Sequence, residues 1–153
     1  MKCIVIYGTL SGSTMTAATV LSESLKNAGH EVSLVMADPS TKDQIKDVQS
    51  VVFASPSWED NGVDGQPLPE VRQVIESMTA ENFTGKKVAI CGLGDVSYPH
   101  FCGAVDVLEG LLKDRGVTPI VESLKIDRYY SSADNEQKVK TWTAALASIL
   151  SQS

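Results

Sequence analysis

Residues 9–14 read Thr-Leu-Ser-Gly-Ser-Thr: four hydroxyls, one glycine and no lysine or arginine, set between the apolar run Cys3–Tyr7 and a segment of helical spacing that begins near Met15. A loop that opens directly into a helix aims several backbone N–H groups and the positive end of the helix dipole at one point, and that point suits an anion. Thr9, Ser11, Ser13 and Thr14 add hydroxyl donors around Leu10, and Gly12 permits a tight approach. The stretch lacks the lysine of G-x-x-x-x-G-K-[ST] and the spacing of G-x-G-x-x-G, so it fits a single terminal phosphate better than a polyphosphate. The plain alternative is a helix capped by Ser13 or Thr14 on an ordinary turn.

Two further loops bear on the choice. S-P-S-W-E-D-N-G-V-D-G, from Ser55, displays Trp58 among polar and acidic neighbours, and G-L-G-D-V-S-Y-P-H-F-C-G, from Gly92, displays Tyr98 in a similar setting. Two aromatics on neighbouring loops can sandwich a flat ring system by dispersion and offset stacking. No general base or nucleophile accompanies them. Asp95 and His100 are the titratable candidates of the third loop, with the spacing of Asp95 pointing to a backbone role, and Cys102 has no adjacent His or Lys to ionise it.

The elements that must position these loops follow from apolar patterning. Unbroken runs at Cys3–Tyr7, Val51–Ala54 and Val88–Cys91 suit strands buried on both faces, with a fourth at Ile120–Leu124 and a more alternating one at Val32–Met36. Between them lie single apolar stripes at helical spacing: Ala17, Leu21, Leu25 and Ala28; Val71, Val74, Ile75 and Met78; Ala104, Leu108, Leu111 and Leu112; Val139, Trp142, Leu146, Ile149 and Leu150. Gly29 and Gly116 read as helix stops, Ser131 with Asp134 as the cap of the last helix, and 38–47 as a short helix or loop. Strands alternating with helices predict an α/β fold, a doubly wound five-stranded parallel sheet covered on both faces, as one domain over residues 1–153. In such sheets ligands bind beyond the carboxyl ends of the strands, where all three loops fall.

A net charge of −6 and a pI near 4.8 oppose nucleic acid or an anionic membrane and favour a basic protein partner. No apolar run reaches the roughly 18–20 residues of a membrane span, and the N-terminus lacks a leader-like pattern, so a cytoplasmic location is expected. Cys3, Cys91 and Cys102 form no C-x-x-C pair and read as reduced thiols, while His30 and His100 are too isolated to suggest a metal site.

T-L-S-G-S-T, S-P-S-W-E-D and, most specifically, G-L-G-D-V-S-Y-P-H-F-C-G-A-V-D resemble, in order and spacing, the phosphate loop and two flavin loops of flavodoxins, and the resemblance runs over nearly the whole chain. The run from Gly116 to Asp134 is similar to that of the short-chain group. The resemblance implies strand order 2-1-3-4-5 and a noncovalent flavin mononucleotide (FMN), with its phosphate on Thr9, Leu10, Ser11, Gly12, Ser13 and Thr14 and its ring between Trp58 and Tyr98. It implies main-chain contacts from Ser57, Glu59 and the run Gly94, Asp95 through Phe101 and Cys102, and a further phosphate-facing hydroxyl at Ser55.

The implied function is that of a monomeric, low-potential electron carrier between redox proteins with basic docking surfaces. Reduction leaves negative charge on the flavin, and at about 10 Å and an effective dielectric near 20 a single carboxylate opposes that charge by up to about 1.7 kcal/mol, or about 70 mV for one electron. Glu59, Asp60, Asp64 and Asp95 share the rim, and the loops hold no Lys or Arg. Two departures from the family pattern stand out. Glu59 replaces a glycine whose peptide turns over on reduction, and if the turn needs positive φ this disfavours the singly reduced state. Leu10 replaces a threonine of some relatives. A small FMN-dependent NAD(P)H or quinone reductase on the same fold is the alternative enzyme reading. A phosphoacceptor module is opposed by Tyr7-Gly8-Thr9 and Ala54-Ser55-Pro56, which supply no carboxylates.

Overall fold

The computed structural model describes residues 1–152. In chain order the elements are β1 (Lys2–Tyr7), α1 (Ser13–Asn27), β2 (Glu31–Met36), α2 (Thr41–Ile45), β3 (Ser50–Pro56), β4 (Trp58–Asp60), β5 (Val63–Gln66), α3 (Pro69–Glu76), β6 (Lys87–Gly94), α4 (Gly103–Lys113), β7 (Leu124–Asp127) and α5 (Asp134–Ser151). Five strands form one parallel sheet in the order β2-β1-β3-β6-β7. With the β4–β5 hairpin set aside this is the expected 2-1-3-4-5 order. The order reverses beside β1, so the loops after β1, β3 and β6 converge at one end of the sheet.

Alternation along β1 shows why its run is unbroken. Cys3, Val5 and Tyr7 face a cluster with Ala17, Leu21 and Leu25 of α1 and Val139 and Leu146 of α5. Ile4 and Ile6 face the opposite cluster with Val71 and Ile75 of α3 and Leu108 and Leu112 of α4. A strand covered on both sides has no polar face to show. Gly29 and Gly116 close α1 and α4 as expected, the residue after each donating its N–H five residues back, to Leu25 and Leu112.

The structure departs from the sequence reading in three places. The last strand is Leu124–Asp127 rather than Ile120–Leu124. Ile120 and Val121 are apolar because they pack on the α1/α5 cluster, but only a lone bond from the Ile120 N–H to the Val88 carbonyl precedes the ladder, which starts at Cys91↔Leu124. The last helix takes its hydroxyl from Ser132, whose Oγ accepts the Asp134 N–H at 3.1 Å, not from Ser131, which closes the 3-10 turn before it. Finally, residues 58–66 are an antiparallel hairpin, with Asn61 and Gly62 both at positive φ between Asp60 and Val63. Asn-Gly is the preferred pair for that two-residue turn and was the signal available in the sequence.

Candidate functional site

Gly12 precedes α1 at φ +94°, a conformation an L side chain rarely adopts, and this turns the chain so that the first N–H groups of α1 point outward. The Gly12 N–H is taken by Thr9 Oγ1 at 2.8 Å, and the Gly12 carbonyl accepts both the N–H and the hydroxyl of Thr16 at 3.0 Å. Among the described residues the N–H groups of Ser11, Ser13 and Thr14 find no backbone acceptor. Thr14 is 1% exposed, and its Oγ1 has no partner in the protein. A buried hydroxyl left unpaired is costly, and here it stands beside free backbone donors at the positive end of a helix. This donor set fits a phosphate oxygen.

The hairpin positions Trp58. Its indole N–H donates to the Pro67 carbonyl at 3.2 Å, which fixes the ring plane. The hairpin in turn rests on the start of α4 through two glycines in mutual contact: a Cβ at Gly65 would lie 2.6 Å from the Cβ of His100, and one at Gly103 would lie 2.6 Å from the Gly65 carbonyl oxygen. The Ser57 hydroxyl accepts the Ala104 N–H at 3.0 Å, tying the same helix start to the end of β3. Asp64 contacts His100 at 3.4 Å across this junction.

The Asp95 side chain is engaged within its own loop. One carboxylate oxygen accepts the N–H and the hydroxyl of Ser97, at 2.8 and 2.6 Å, which shapes the turn that presents Tyr98. These bonds, first the Ser97 hydroxyl, hold the Asp95 carboxyl below the usual carboxylate range. Leu10, Ser57, Trp58, Glu59, Asp64, Tyr98 and Pro99 line a cleft of about 440 Å³, with Tyr98 61% exposed at its edge. A second cleft of about 260 Å³ shares Leu10, Ser57 and Tyr98 and continues to Thr9, Ser11, Ser13, Thr14, Gly94 and Asp95. The anion loop and the two aromatics therefore serve one continuous depression.

One expected side chain sits elsewhere. Ser55 is fully buried, and its hydroxyl is occupied: it donates to the Pro56 carbonyl at 2.8 Å and accepts the Leu68 N–H at 3.0 Å, so it joins β3 to the start of α3 and does not face a phosphate. Phe101 packs its ring against the α3/α4 cluster, and Cys102 directs its thiol inward to the Gly92 and Ile126 carbonyls, so these two have only main-chain groups to offer the cleft. Burial pushes the Cys102 thiol up to about 11 and that of Cys91 up to about 12. Glu59 lies in strand β4 without positive φ, and the positive-φ pair of the hairpin falls at Asn61 and Gly62.

A fourth loop, 127–132, enters the site unannounced by local pattern. Arg128 and Tyr129 line the smaller cleft opposite the hydroxyls of residues 9–14. Asn135, 3% exposed, offers its amide to the carbonyls of Asp127, Arg128 and Tyr129 at 3.0–3.2 Å and so holds this turn. The Tyr130 hydroxyl reaches Thr16 Oγ1 at 2.7 Å and the Gly12 carbonyl at 3.4 Å, bolting the turn to the anion loop. The expectation of a site without Lys or Arg is thereby corrected, because β7 pairs with β6 and the turn that follows it carries Arg128 into the cleft.

A doubly wound parallel sheet with a phosphate-sized donor loop at its switch point and a ring-sized aromatic cleft beside it has the form that suits a mononucleotide. Comparison with known proteins narrows the class. The model of the family described as Flavodoxin matches residues 5–142. The chain is 32% identical to the flavodoxin of Maridesulfovibrio salexigens over 95% of its own length and 97% of that protein's, and 32% identical to probable flavodoxin 2 of Bacillus subtilis over 90% and 89%. Oxidised flavodoxin 2 of Bacillus cereus superposes with a TM-score of 0.84 at 28% identity, covering 97% of this chain and 99% of that one. This chain belongs to the flavodoxin family, whose members are flavin-bearing electron carriers rather than enzymes.

Proposed function

We propose that this protein carries electrons at low potential on a noncovalently bound FMN, between redox proteins that dock through basic surfaces. The observation that carries the reading is the single depression joining the unpaired Thr14 hydroxyl to the Trp58–Tyr98 cleft. FMN supplies a ring that takes up and releases electrons one at a time. The chain's residues do the rest. Ser11, Ser13 and Thr14 donate to the phosphate, Trp58 and Tyr98 flank the ring, and main-chain groups of 94–102 border its polar edge.

Glu59, Asp64 and Asp95 line the depression beside exposed Leu10 and Tyr98, and Asp60 and Asp127 are chain neighbours of lining residues. Carboxylates there oppose added negative charge on the ring and steer basic partners into brief, salt-sensitive encounters. The test is direct. The purified protein should be yellow, acid should release FMN intact, and anaerobic NADPH should reduce it quickly only when a separate reductase is added. A chain that binds no flavin overturns the proposal, and rapid reduction by NADPH alone identifies a reductase instead.

A further inference from the structure

We propose that Arg128 is a cofactor-selecting residue, a fixed cation that makes the site prefer the phosphorylated flavin over the bare one. This rests on the flavin reading above. Among the described residues it is the one cationic side chain lining either cleft, and it shares the smaller cleft with Thr9, Ser11, Ser13 and Thr14.

The turn that holds it is built to keep it there. Arg128 has φ +44°, a left-handed conformation that strains a residue with a Cβ. The strain is held by the bond from its N–H to the Gly94 carbonyl at 2.7 Å, by the three carbonyl contacts of Asn135, and by Tyr130 on the anion loop. The guanidinium is clamped by Asp127 through Nε at 3.2 Å and Nη2 at 3.1 Å, while Nη1 donates to no protein atom among the described residues. Asp127 is itself anchored by the Val96 N–H at 2.9 Å, so the charge hangs from the same two loops that border the cleft. A glycine would adopt this backbone without strain, so the conformation itself does not call for an arginine.

A phosphate dianion gains from that charge, and riboflavin, which has no phosphate, does not. Flavin-free protein of the wild type and of Arg128→Gly and Arg128→Lys is titrated with FMN and with riboflavin at about 10 mM ionic strength, where surface charges are little screened. The ratio of the riboflavin to the FMN dissociation constant should fall about tenfold in Arg128→Gly, stay within about threefold of the wild-type value in Arg128→Lys, and converge with the wild-type ratio in concentrated salt. Because glycine relieves the left-handed strain, Arg128→Gly should melt no lower than the wild type. An unchanged ratio in Arg128→Gly, or equal weakening of both flavins as expected of a purely structural residue, overturns the assignment. Failure of the wild type to bind either flavin would instead overturn the parent reading.

Discussion

The Thr14 hydroxyl separates stability from binding by sign. It is buried, makes no bond within the protein and lies one residue inside the N-terminus of α1, next to free backbone donors. Thr14→Val keeps the branched shape and removes the hydroxyl. In the flavin-free protein this deletes an unsatisfied buried polar group, whose cost is about 1–3 kcal/mol, so the variant should be more stable by about 1 kcal/mol or more. In the FMN complex it deletes a hydrogen bond to a charged acceptor, valued at about 1.5–3 kcal/mol. At 1.4 kcal/mol per factor of ten, the FMN dissociation constant should rise about 12- to 140-fold. Fluorescence titration measures that change, with riboflavin as the control that should not respond, and urea melts of the flavin-free protein measure the stability. An unchanged FMN affinity, or an equal loss for riboflavin, would show that the hydroxyl does not reach the phosphate and would refute the placement of the anion.

Asn135→Ala removes the amide beneath the 127–129 turn and leaves three carbonyls to find other donors; a loss of about 2–4 kcal/mol is expected in thermal melts, with weaker FMN binding as the turn loosens. Gly65→Ala places a Cβ 2.6 Å from His100 and strains φ +72°, so it should displace the hairpin and weaken both flavins alike, read as a shifted Trp58 emission. Asp127 is held below the usual aspartate range, first by the Val96 N–H and then by Arg128, so its stabilising contribution is present above that range and is lost as pH falls through the lowered value. Acid melts below about pH 4 should be shallower in Asp127→Asn. Burial raises the Cys91 and Cys102 thiols to about 12 and 11, so neither should react with a disulfide reagent at pH 8 until the protein is unfolded in urea.

Much of this protein was legible from local chemistry. The hydroxyl-rich turn before α1, the aromatics of the two later loops and the unbroken strand runs each depend on residues within a few positions of one another, and short-range rules read such groupings well. The Asn61-Gly62 turn belongs to the same local code, but its flanking strands are too short and polar to show a strand pattern. The tertiary structure decided what a side chain meets across the fold. Whether Ser55 faces a ligand or the N–H of Leu68 depends on how α3 seats against β3. Whether the anion site holds a cation depends on strand order, which lays the turn after β7 beside a loop more than 110 residues earlier, where Tyr130 bonds Gly12 and Arg128 joins the cleft. Composition and periodicity specify which faces are buried, and chain crossovers then determine which loop ends become neighbours; the first is a property of sequence windows, the second of the packed sheet.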